Sequence, residues 1–89
     1  MKAIVTVVGK DRVGIIADVC THLASYKINI LDIRQTVMQT YFTMMMVVDV
    51  RESPLPLAEL AQDVEKKGEE MGLSIRLQRE DIFDAIHRV

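Results

Sequence analysis

Eighty-nine residues bound this chain to one compact domain, because a second would need a hydrophobic core of its own. Apolar residues make up 49% and charged residues 27%, too apolar for a disordered chain and ordinary for a globular one. Thirteen acidic against eleven basic residues give a net charge of −2, so the electrostatic footprint of a nucleic-acid or anionic-membrane binder is missing.

The first element runs from Lys2 to Val8, a β-branched run apolar on both faces that suits an interior strand, and Gly9 ends it. After the loop Lys10, Asp11, Arg12, Val13 and Gly14, residues Ile15, Ile16, Val19, Cys20, Leu23 and Ala24 recur as the stripe of an amphipathic helix. Asn29 to Val37 is a second extended segment, and Met38, Gln39 and Thr40 turn it into a third, Tyr41 to Val50. Phe42, Met44, Met46, Val48 and Val50 alternate with their neighbours and mark the core face of that strand. Ser53, Pro54 and Pro56 break the chain, and Pro56 fits the first turn of a helix. Leu57, Leu60, Ala61, Val64 and Met71 then follow at helical spacing up to Gly72, a C-terminal cap; Gly68 interrupts that helix with no reason visible in the sequence. Leu73 to Gln78 alternates as a strand with one wet face, and Asp81 to Val89 places Ile82, Phe83, Ile86 and Val89 on one side of a short last helix.

The order βαββαβ plus a C-terminal helix predicts a ferredoxin-like α/β sandwich, an antiparallel four-stranded sheet with two helices on one face. Residues 1–80 are expected to form the domain and 81–89 a helical extension of it. The sheet face away from the helices is expected to carry Met45 and Val47, with Val5 and Val7 if the odd residues of the first strand point outward. Such a patch calls for a cover, either the last helix, in its own subunit or exchanged, or a partner.

The Gly9 to Gly14 loop leads into a helix N-terminus, where free backbone N–H groups favour a carboxylate or phosphate. Asp11 could accept hydrogen bonds from a ligand ammonium group, so the loop suits a zwitterion; equally, Asp11 could cap the helix and Gly14 relieve crowding. Asn29 offers an amide that donates and accepts, or it serves the helix-to-strand corner.

Read together, Gly9-x-Asp11-Arg12-x-Gly14-Ile15, the amphipathic helix and Ile28-Asn29-Ile30 resemble the ACT domain, and most of all its short stand-alone members related to the regulator of the glycine cleavage system. The resemblance implies a regulatory module with no catalysis of its own. It implies a small ligand, an amino acid or similar effector, bound where two subunits of a homodimer meet. The residues it assigns are Asp11, Arg12, Val13, Gly14 and Ile15 from one subunit and Asn29, Ile30 and Leu31 from the other. It also implies a separate regulated protein, since no enzyme domain is attached. One departure is Tyr26-Lys27, where many relatives carry a Gly ahead of Ile-Asn-Ile, so the helix end lacks its easy left-handed cap.

Other chemistries find little support. Met44 and Met46 read as core filler rather than soft-metal ligands. Cys20 and His22 point in different directions on a helix, so neither a metal nor another cofactor is expected. The acidic residues Glu65, Glu69 and Glu70 sit on a helix exterior, and the phosphate loop of acylphosphatases, which share the fold, is not seen. The scarcity of aromatics, with no Trp, argues against RNA stacking. A lone Cys20, no leader ahead of the first strand and no apolar run approaching the ~20 residues of a membrane helix point to the cytoplasm.

Overall fold

The computed structural model describes residues 1–86. Seven elements follow one another: β1 (Lys2–Lys10), α1 (Ile15–Ser25), β2 (Asn29–Met38), β3 (Tyr41–Asp49), α2 (Leu57–Glu70), β4 (Ser74–Arg79) and α3 (Glu80–Ile86). The four strands form one antiparallel sheet in the order β2-β3-β1-β4, the ferredoxin-like arrangement expected from the βαββαβ pattern. Of the residues assigned to the last helix, His87, Arg88 and Val89 lie outside those described.

Register explains which side chains are buried. Ala3, Val5 and Val7 of β1 face Val48, Met46 and Met44 of β3, and Val5 and Val7 also face Leu77 and Ile75 of β4. All of these are buried, together with Ile15, Val19 and Leu23 of α1 and Leu60 and Val64 of α2. Val5 and Val7 therefore point toward the helices. The opposite face carries Ile4, Thr6 and Val8 beside Val47, Met45 and Thr43, which corrects the expectation that the odd residues of β1 could lie outside. Ile4 is buried on that face, and α3 contacts β1 and β4 of its own chain. Val8 and Met45 stay about 40% exposed.

Gly68 has its reason in packing. A Cβ added there would lie 2.7 Å from Ile75 Cγ1 and 3.0 Å from Ile75 Cβ, so the bare glycine lets α2 sit directly on β4. Pro56 is the residue before α2, not its first turn, and its carbonyl accepts the Leu60 N–H at 2.9 Å. Gly72, at φ +75°, closes α2: its N–H donates to Glu69 O and the Leu73 N–H to Gly68 O. The missing glycine after α1 is replaced by Lys27 itself, which takes the left-handed conformation at φ +60° and donates to Ala24 O at 2.9 Å.

Candidate functional site

The loop between β1 and α1 is anchored at both ends. The Asp11 N–H donates to Thr40 O at 2.7 Å, which ties the loop to the β2–β3 turn. Ile15, only 2% exposed, plants the start of α1 in the core, so that its side chain is withdrawn from any ligand. Between these anchors Gly14 takes φ +88°, the left-handed region that favours glycine, and a Cβ there would meet nothing within 4 Å. Gly14 thus serves the turn of the backbone, and the space above it is open.

No side chain caps α1. Asp11 therefore does not spend its carboxylate on the helix, and the first N–H groups of α1 face outward with the positive end of the helix dipole. Arg12 reaches forward instead: its guanidinium donates to Asp18 Oδ2 and to Val13 O, both at 3.2 Å. Both partners are solvent-exposed, so the pair orders the loop more than it stabilises the fold. Val13, at the tip, is 98% exposed, an apolar side chain held in water.

Asn29 opens β2 opposite Asp49, whereas Asp11 follows Lys10, which lies opposite Tyr41. Eight residue steps of β3 separate those two ends, about 26 Å at the usual strand rise. Within one chain the two halves of the expected site do not meet. Ile30 turns toward the core beside Val48, and Leu31 is the extra residue of a bulge between Ile30 and Asp32, 48% exposed.

Around Asn29 the register assembles groups that local sequence spacing does not flag. Asn29 lines a polar recess with Lys27, Asp49, Arg51 and Glu52. Asp49 is its organising group: it accepts the Arg51 N–H at 3.0 Å and pairs with Arg51 Nε at 3.0 Å and with the N-terminal ammonium at 3.4 Å. The Arg51 backbone bond is the main reason its carboxyl is held below the ordinary carboxylate range. Only the pairing of Asn29 with Asp49, twenty residues on, brings these together.

No cluster of three or more metal-ligating His, Cys, Asp or Glu side chains exists among the described residues. Burial raises the Cys20 thiol, which makes it a poor nucleophile. His22 lies against Tyr26 in an edge-on contact at 5.1 Å, and the Tyr26 hydroxyl donates to Asp63 Oδ2 of α2 at 3.3 Å, a seam between the two helices. No described helix is long and apolar enough to cross a membrane.

A four-stranded sheet in the order β2-β3-β1-β4 under two helices, with a glycine-turned loop after β1 and β2 as a long edge strand, is the ferredoxin-like architecture of small regulatory domains. The family model described as the ACT domain matches residues 2–78, and the chain belongs to that family. A UPF0237 protein of Clostridium acetobutylicum is 52% identical over the full length of both chains. The solved ACT domain protein from Streptococcus pneumoniae is 43% identical, with a TM-score of 0.83 over 94% of each chain. A candidate glycine cleavage system transcriptional repressor shares the fold at 24% identity, with a TM-score of 0.71 over 86% of this chain and 44% of that one.

Proposed function

We propose that this chain is the subunit of a cytoplasmic, non-catalytic homodimer that binds an amino acid at the subunit boundary and signals its presence to another protein. The observation that carries this reading is the state of β2. It is a ten-residue edge strand on which every residue except Ile30 is exposed, including Leu31, Ile33, Val37 and Met38 at 40 to 64%. A long edge strand that exposes apolar side chains in this way pairs with another chain unless something blunts it.

A second copy laid antiparallel against β2 would set its Asn29 end beside the Met38 end of the first. The Asp11 loop stands at that end, held to Thr40. The same two-fold operation that pairs the strands therefore joins the halves of the site, twice per dimer. The outward N–H groups of α1 would receive a ligand carboxylate, the Asp11 carboxylate a ligand ammonium, and the Asn29 amide either. Exposed Val13 would be covered by the second subunit. Binding across the boundary would favour one dimer geometry, which is what coupling to a downstream partner requires. The free Cys20 thiol suits a reducing compartment.

The test is thermal unfolding of the protein against the twenty amino acids, with sedimentation to report the oligomer. A ligand at 100 times its Kd adds about 2.7 kcal/mol, roughly 10–20 °C in Tm for a domain of this size. A shift from one amino acid, lost in Asp11→Ala and in Asn29→Ala with folding intact, supports the reading. A dimer that responds to none of them would be an interaction module without a ligand.

A further inference from the structure

We propose that two copies, paired along β2 as in the reading above on which this rests, are held in a single register by reciprocal Asp32–Arg34 ion pairs about a two-fold axis through Ile33. An edge strand by itself tolerates several registers, and a slip re-aims every side chain it carries. In a symmetric antiparallel pair the register is fixed by which residue lies on the axis.

The hydrogen bonds of β2 say which groups are free for a neighbour. The Ile33 N–H donates to the carboxylate of the preceding residue, Asp32 Oδ1, at 2.8 Å. It therefore points out of the sheet rather than into β3. The Thr36 carbonyl points the other way, toward β3, where it accepts from Thr43 Oγ1 at 3.2 Å. With the alternation of an antiparallel ladder, Ile33, Gln35 and Val37 present their amides and carbonyls to the open edge.

Side chains then discriminate among the possible axes. Asp32 and Arg34 are the only charged residues of β2. They lie on the sheet face away from α1 and α2, opposite Val47 and Met45, so β3 offers neither of them a counter-charge. Among the described residues Arg34 makes no ion pair. An axis at Arg34 would set two guanidinium groups against each other. An axis at Gln35 would set Arg34 against Thr36 and Asp32 against Met38, leaving both charges unmatched. An axis at Ile33 sets Asp32 against Arg34 of the partner subunit twice, with Ile33 against its own copy between them. Opposite charges directly across a ladder stabilise it and like charges destabilise it.

The same register gives the Asp32 carboxylate two states. In the free chain it occupies the edge amide of Ile33. On pairing, that amide donates to the Ile33 carbonyl of the second copy, and the carboxylate is released to the arriving guanidinium. Asp32 thus blunts the free edge and then specifies what may add to it. With the bulge at Leu31 counted, the axis at Ile33 also brings Asn29 of the second copy alongside Thr36, toward the turn whose Thr40 holds Asp11.

The experiment uses the full chain with Cys20→Ser and single cysteines at the candidate axes. On the axis of an antiparallel pair the two Cα atoms are about 5.5 Å apart, within disulfide range, whereas two residues away they are about 13 Å apart. Ile33→Cys is expected to cross-link to its own copy on mild oxidation, at least about tenfold faster than Arg34→Cys or Gln35→Cys. In parallel, Asp32→Arg and Arg34→Asp should each weaken self-association by at least about tenfold. Mixing the two variants should restore a heterodimer, because opposite charges then face each other at both positions. Cross-linking fastest at Gln35→Cys or Arg34→Cys, or single reversals that dimerise as tightly as the parent, would overturn the register while leaving pairing along β2 in place. A parent chain that stays monomeric at all concentrations would overturn both.

Discussion

Replacing Gly68 by Ala separates helix propensity from packing, because the two act in opposite directions at this position. In an exposed helix interior Ala is favoured over Gly by about 1 kcal/mol. Here the added Cβ would stand 2.7 Å from Ile75 Cγ1 and 3.0 Å from its Cβ and Cδ1, against the ~3.5–4.0 Å of an ordinary carbon contact. Ile75 is only 3% exposed and its Cβ is fixed to β4, so relief requires α2 to lift from the sheet. Overpacking of this kind costs about 1–3 kcal/mol, which leaves a net loss of about 1 kcal/mol, or roughly 4–8 °C in Tm. Urea unfolding at fixed protein concentration measures it. Ile75→Ala removes Cγ1 and Cδ1 and leaves only the Cβ contact at 3.0 Å, so in that background Gly68→Ala should cost less than in the parent, a coupling of about 1 kcal/mol. Stabilisation by Gly68→Ala in the parent background, with no coupling to Ile75, would refute the close-contact explanation.

Lys27 holds φ +60° where a glycine would be at ease. Lys27→Gly should therefore stabilise the chain by about 0.5–1 kcal/mol in urea unfolding, the relief of left-handed strain exceeding the added freedom of the unfolded state. His22 is held below its ordinary value of 6.5 chiefly by burial and then by Lys67, with Asp63 and Glu70 opposing. Its folded pKa being the lower, the unfolded state takes up the proton first: the contribution is full above pH 6.5 and declines as pH falls toward the folded value. Parent protein should thus lose more Tm between pH 8 and pH 5.5 than His22→Gln does, and equal losses would contradict the assignment.

The fold was legible because each element carried its own period. The alternation in Phe42 to Val50 and the helical recurrence in Leu57 to Val64 each matched one buried face. The facing of β1 was not legible, since Ile4, Val5, Val7 and Val8 are apolar on both sides and only pairing with Met44 and Met46 decides between them. Gly68 and the recess around Asn29 were opaque for a related reason: both depend on contacts between elements remote in sequence. The loop residues could be named from their motif, but the open, uncapped start of α1 and the fully exposed Val13 are properties of the folded chain.

In the proposed dimer each site takes its loop from one subunit and its strand from the other. The direct test mixes Asp11→Ala and Asn29→Ala subunits, each unable to bind alone, and measures calorimetric binding of the amino acid that stabilises the parent protein. With random exchange, half of the dimers are mixed, and each mixed dimer has one site with an intact loop facing an intact Asn29. Recovery of about a quarter of the parent sites is the result predicted. No recovery after demonstrated subunit exchange would contradict a shared site.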